Sequence, residues 1–107
     1  RKLYRAVLPP LISVEYQFEI NGERLVIQSS SHIYDVVFDE NVQEIRFTSA
    51  APQGVYGQVS IDMPRSLQSD SYEVSIDGGP IKSSSTVTSL SFTNDRSGRN
   101  LVAIKLN

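Results

Sequence analysis

The sequence predicts an all-β domain, an antiparallel β-sandwich of about seven to eight strands. Three observations predict it. Val, Ile and Thr together number 24, Tyr and Phe another nine, and Ala only four. β-Branched and aromatic side chains suit a pleated, half-buried surface, whereas helices favour Ala, Leu, Glu and Lys. Apolar and polar residues also alternate with period two along most of the chain. Finally, turn-forming residues interrupt those runs at roughly ten-residue spacing, the rhythm of a sandwich or a small barrel. Gly57 is the one candidate for the glycine kink of a barrel corner, so the sandwich is favoured and the barrel is the alternative.

The elements follow in order. Residues 1–11 (RKLYRAVLPPL) have no clear period, and Pro9 and Pro10 forbid regular helix, so an extended N-terminal segment is expected ahead of a sandwich domain at 12–107. The chain starts at Arg1 and carries no signal-peptide h-region, so a mature chain or an excised domain is expected. Ile12, Val14, Tyr16, Phe18 and Ile20 alternate with Ser13, Glu15, Gln17 and Glu19, which predicts a strand over 12–20. Asn21-Gly22 follows, and both residues accept the positive φ of a type I′ turn, so a second strand over 23–30 completes a hairpin. A third strand is predicted over 32–38, with Tyr34, Val36 and Phe38 sharing one face. Asp39-Glu40-Asn41 reads as a turn, and a fourth strand over 42–49 turns Ile45 and Phe47 inward. Ala51-Pro52-Gln53-Gly54 breaks it.

A fifth strand over 56–63 carries Val59, Ile61 and Met63 on one face and ends at Pro64. Residues 65–70 form a loop with room for one helical turn. Tyr72, Val74 and Ile76 then alternate with Glu73, Ser75 and Asp77, and Asp77-Gly78-Gly79-Pro80 closes that strand. Strands over 86–93 and 101–106 follow, joined by Asp95–Gly98 read as a hairpin loop. The Ser-rich stretch 83–91 is the expected edge strand, with Lys82 the only charge close beside it. One core between two sheets is expected from Val14, Tyr16, Phe18, Val36, Phe38, Ile45, Phe47, Val59, Ile61, Val74, Ile76, Leu90, Phe92, Val102 and Ile104.

Size and composition narrow the function classes. The chain has 107 residues, enough for one hydrophobic core and too few for two. Ten basic and twelve acidic side chains give a net charge of −2, which argues against electrostatic nucleic-acid binding. No apolar run approaches the ~20 residues of a membrane helix, so a membrane is reached only through a segment outside this chain. Cysteine is absent and histidine single, which removes disulfides, thiol catalysis, and Cys-based or His-rich metal sites. No cofactor is expected.

Several clusters invite chemistry. His32 stands near Ser29, Ser30, Ser31 and Asp35, but on a strand Asp35 points away from the face of Ser30 and His32, so no triad is expected. Asp35, Asp39, Glu40, Asp62, Asp77 and Asp95 are oxygen donors, yet calcium needs about six to eight oxygens converging on one point, and no Asp-x-Asp-x-Asp loop is present. Turn roles are favoured for them. Asp77-Gly78-Gly79 is flanked by strands and opens no helix, so it is not a phosphate loop. No catalytic residue and no metal ligand is therefore assigned. Tyr56, beside Gly54 and Gly57, is a candidate aromatic ledge for a sugar or a partner, and Arg96 and Arg99 flank a hairpin tip. With Ser85 and Ser89 of the Ser-rich stretch, these are the candidate partner contacts.

The order of four segments carries a resemblance. YDVVFDENVQEIRF (34–47) is an aromatic-ended strand, an acidic turn and a second strand; GQVSIDMPRSL (57–67) is a glycine, an alternating strand and Met-Pro; YEVSIDGGPI (72–81) is a strand ending in Asp-Gly; LSFTNDRSGRNLVAIKL (90–106) closes the chain. Together with the 12–30 hairpin they resemble an immunoglobulin-like β-sandwich domain of archaeal cell-surface proteins, surface-layer-associated or membrane-anchored. The resemblance implies an extracellular, non-enzymatic domain with a structural, adhesion or assembly role. Its expected partners are other cell-surface proteins, neighbouring domains of the parent chain, or a second copy joined by an edge strand. The alternatives are a module binding carbohydrate or another surface ligand, and a subunit of a surface appendage joined through its N-terminal segment. Such surface domains are often N-glycosylated, whereas none of the five asparagines here lies in an Asn-x-Ser/Thr sequon.

Overall fold

The computed structural model describes residues 13–51 and 57–107. The strands in chain order are β1 (Val14–Ile20), β2 (Glu23–Ser29), β3 (His32–Asp39), β4 (Glu44–Ala51), β5 (Gly57–Asp62), β6 (Tyr72–Ile76), β7 (Gly79–Ile81), β8 (Ser84–Ser85), β9 (Ser89–Asn94) and β10 (Gly98–Leu106). They form two five-stranded antiparallel sheets packed as a β-sandwich. The first has the order β1-β2-β5-β9-β8 and the second β3-β4-β10-β6-β7. Eight of the ten strands answer to the eight periodic runs of the sequence. The other two, β7 and β8, are three and two residues long, too short for a period to register.

Alternation places the core. Ile27, Ile61 and Leu90 lie in one row across β2, β5 and β9. Phe47, Val102 and Ile76 lie in a row across β4, β10 and β6, with Ile45, Ile104 and Val74 in the next. All nine are buried, and the two sets close on each other with Leu25, Ile33, Met63 and Leu67. Tyr16, Phe18, Val36 and Phe38 pack half-buried against this cluster.

The turns follow local chemistry. Asn21 and Gly22, at φ 54° and 76°, join β1 to β2 as a two-residue turn, and Asp77 and Gly78, at φ 51° and 85°, join β6 to β7 the same way. Gly79 and Pro80 therefore belong to β7 and not to the turn. The Asn41 N–H donates to Asp39 Oδ1 at 3.0 Å, a side chain closing its own turn before β4. Pro64 precedes a single 3-10 turn over Arg65–Leu67, and Glu23 Oε1 accepts from the Ser66 N–H and Oγ at 2.9 and 2.6 Å. Tyr72 pins this region to the next connection. Its Oη donates to the Val87 carbonyl at 2.7 Å, accepts from the Ser69 N–H at 2.9 Å, and lies 3.4 Å from the Leu67 carbonyl.

The structure corrects several expectations. Val14 is 46% exposed and outside the core, because it opens a strand that, among the described residues, pairs with β2 alone. Tyr34 does not share a face with Val36 and Phe38. A β-bulge between Tyr34 and Val37 holds Asp35 at φ 56° and slips the period by one. Ile33 is thus buried ahead of the bulge, Val36 and Phe38 point inward after it, and Tyr34 lies on the outer side. Asp95–Gly98 is no hairpin loop, since β9 belongs to the first sheet and β10 to the second. The Ser-rich stretch is not one edge strand either. Only β8 is at the edge, and β9 lies inside it. The expected extended segment at 1–11 lies outside the described residues.

Candidate functional site

The strands end in polar residues where the period calls for apolar ones. Ser29 follows Ile27 on the inward face of β2, Ser49 follows Phe47 on β4, Asn94 follows Phe92 on β9, and Asn100 precedes Val102 on β10. These four and Ser31 are buried. Burying a polar group costs free energy unless it is hydrogen-bonded, and here the groups satisfy one another. Ser31 Oγ lies 2.8 Å from Ser29 Oγ and 2.8 Å from Ser49 Oγ. Asn94 Nδ2 donates to Asn100 Oδ1 at 3.0 Å and reaches Ser49 Oγ at 3.5 Å. Asn100 Nδ2 donates to Asp77 Oδ2 at 2.8 Å. A polar seam therefore crosses between the sheets and surfaces at a carboxylate. Gly57 lies against it, where a Cβ would stand 3.1 Å from Ser31.

Asp77 is held from several sides. Its Oδ1 accepts from the Leu101 N–H at 2.8 Å, and the Arg96 guanidinium stands 3.5 Å from Oδ2. The bonds from the Leu101 amide and the Asn100 side chain, ahead of the nearby Arg96 charge, set its pKa below the usual carboxylate value. Burial pushes the Tyr72 hydroxyl the other way, above the usual phenol value, so it serves as a neutral hydrogen-bonding anchor.

No known family model matches the chain, and neither does any curated protein or solved structure. Among the described residues, no three His, Asp or Glu side chains gather as a metal site. His32 does not join a Ser-Asp arrangement. Its ring lies between Tyr16 at 6.0 Å and Tyr34 at 5.1 Å, while the Ser29 and Ser31 hydroxyls are bonded within the seam. No described helix is long and apolar enough to cross a membrane.

The sequence-predicted contact residues separate into distinct places. Ser85 lies on β8, the outermost strand of the first sheet, and Ser89 begins β9, one strand in. Arg96 lies in the β9–β10 crossing against Asp77, and Arg99 stands on β10 of the second sheet, paired in register with Ala50 of β4. Tyr56 lies outside the described residues. The seam was missed in the sequence, although polar residues in phase with an apolar run at four strand ends were a readable signal.

The edge at Ser85 has a definite polarity. The Met63 N–H donates to the Thr88 carbonyl at 2.8 Å across β5 and β9. Bonded and non-bonded pairs alternate along an antiparallel ladder. Even-numbered residues of β9 therefore bond to β5, and Ser89, Ser91 and Thr93 turn their main-chain groups the other way. The Thr86 N–H donates to the Ser89 carbonyl at 2.9 Å, and Ser84 pairs with Ser91. The β8 ladder ends there, short of Thr93. By the same alternation the N–H and C=O of Ser85 face outward. A groove of about 870 Å³ runs beside this edge, with Ile81, Ser84, Phe92 and Thr93 among its lining residues.

Proposed function

We propose that this chain is a non-enzymatic, extracellular domain with a structural and assembly role at the cell surface, joining a second copy by strand addition at the β8–β9 edge. One observation carries the reading: among the described residues, this sheet edge alone carries neither charge, proline nor bulge, and the shortness of β8 leaves part of β9 uncovered. Edge strands invite pairing unless charge, proline, a bulge or brevity blunts them. β1 carries Glu15 and Glu19, β3 carries the Asp35 bulge and Asp39, and β7 is three residues long with Pro80 at its centre. β8 carries only Ser84 and Ser85 and covers β9 for two residues. An added strand would find the main chain of Ser85 or Thr93, and pockets for alternate side chains in the groove.

The immunoglobulin-like reading belongs to the same proposal. Two features support it: the β1-β2-β5 order is that of strands A-B-E in such a sandwich, and Tyr72, at the start of the strand that follows E, places its Oη 3.4 Å from the upstream Leu67 carbonyl, near where a tyrosine corner bonds. β10, inserted between β4 and β6, is the departure. The extracellular placement is supported by the resemblance in segment order.

Sedimentation tests the association. The chain should self-associate with rising concentration. Ser85→Pro and Thr93→Pro each remove one outward N–H and leave the β5–β9 bonds in place, so each should return the chain to monomer with its melting temperature nearly unchanged. A chain that stays monomeric at high concentration, or association untouched by both prolines, overturns the proposal. Ser89→Pro is the wrong variant, because that N–H already donates to Thr86 Oγ1 at 3.2 Å.

A further inference from the structure

The outer face of the second sheet carries a trough that the edge does not use. Its rows follow from the register. Tyr34 pairs with Thr48 and Thr48 with Leu101, while His32 pairs with Ala50 and Ala50 with Arg99. Small side chains on β4 thus form a floor. The rings of His32 and Tyr34 rise from β3 on one side, and Arg99 and Leu101 rise from β10 on the other. The walls stand two strand spacings apart, about 10 Å, which suits the width of one sugar ring. The next row is Val37–Arg46–Ala103, where Arg46 is paired with Asp39 at 2.6 Å. Within the trough, a pocket of about 340 Å³ is lined by Tyr34, Thr48, Arg99 and Leu101, with Asp35 and Asp77.

We propose that this pocket binds an acidic sugar, a pyranose ring bearing one carboxylate. Sugar recognition needs an aromatic face for the ring's apolar side and fixed polar groups for its hydroxyls. Tyr34 supplies the face, steadied by the His32 ring 5.1 Å away. Thr48 and Asp35 supply hydroxyl partners. Asp35 is a non-glycine residue held in the left-handed region at φ 56° by the bulge, a strained backbone that aims its carboxylate into the pocket wall. Arg99 supplies the charge selection. Among the described residues Arg46 and Arg96 sit in ion pairs, whereas Arg99 makes none. Asp77, which lines the same pocket, is already committed to Leu101, Asn100 and Arg96. A planar guanidinium without a partner beside a hydroxyl-binding floor suits a carboxylate held by two parallel hydrogen bonds.

Titration of the isotope-labelled chain with an oligogalacturonate and with a matched neutral galactose oligomer, followed by amide chemical shifts, tests this. The uronate should bind saturably, with shifts centred on Tyr34, Thr48 and Leu101, and about tenfold tighter than the neutral oligomer. Arg99→Gln should bring the uronate down to the neutral affinity. Tyr34→Ala should weaken both, and Lys105→Gln, on the same strand but outside the trough, should change neither. Arg99 is exposed, so its variant should keep the wild-type melting temperature. No saturation by uronate, equal affinity for the two oligomers, or a preference that survives Arg99→Gln overturns the proposal.

Discussion

Asn94 and Asn100 stand six residues apart in the chain, in different sheets, and meet through Asn94 Nδ2 and Asn100 Oδ1 at 3.0 Å. That bond ties the end of β9 to the start of β10 across the two sheets. Both side chains are buried, so each needs a hydrogen-bond partner. Asn94 also caps the crossing, its Oδ1 accepting from the Arg96 N–H at 3.0 Å.

Breaking that relationship should be costly. Asn100→Ala strands Asn94 Nδ2 with only the long contact to Ser49 and removes one support of Asp77. A loss of roughly 1–3 kcal/mol is expected for a buried polar group left unsatisfied. Urea melts measure it, and a change within about 0.5 kcal/mol would show that the seam is solvated.

Phe47 is fully buried at the centre of the second sheet, beside Val102. Phe47→Ala should cost roughly 3–5 kcal/mol, from lost transfer energy and the cavity left behind. A measured loss below about 1 kcal/mol would place the core elsewhere.

Gly22 is a purely conformational test. At φ 76° it is in the left-handed region, yet a Cβ there would touch nothing within 4 Å. Gly22→Val should therefore destabilise by about 1–2 kcal/mol through the backbone alone, and Gly22→Asn by clearly less. Equal melting curves for the two variants would contradict the turn.

Asp77 supplies a pH signature. Its pKa is lowered in the fold, so its contribution is present above the ordinary carboxylate value and is lost as the pH falls through the lowered one. Asp77→Asn keeps a side chain that accepts positive φ and removes the titration. The variant should be less stable than the wild type at neutral pH, and the difference should shrink in acid. A stability gap independent of pH between neutral and strongly acid solution would show that the carboxylate is not charged in its bonds.

Much of the fold was legible because a strand declares itself through period two. The hairpin at Asn21-Gly22, the inward Ile45 and Phe47, and the alternation of Val74 and Ile76 needed nothing beyond neighbouring residues. The candidate sites were legible only in part. Ser85 could be placed at an edge, since a run of serines carries no guarding charge, but nothing local says that β8 stops before Thr93. Arg99 looked like part of a loop tip, and its place across from Tyr34 depends on β4 lying between them.

Local sequence alone determined which residues extend, where they turn, and which side of most strands faces inward, because those choices rest on backbone sterics and on the burial of neighbouring apolar groups. Tertiary structure decided the rest. The bulge at Asp35 reversed the faces of β3, because that register answers to β4 and not to its own period. The assignment of β9 and β10 to opposite sheets, the closure of the polar seam and the trough between Tyr34 and Arg99 all depend on pairings between residues distant in sequence. Such pairings are chosen by the whole core at once, since a strand gains by burial only against the partners that the other strands leave open.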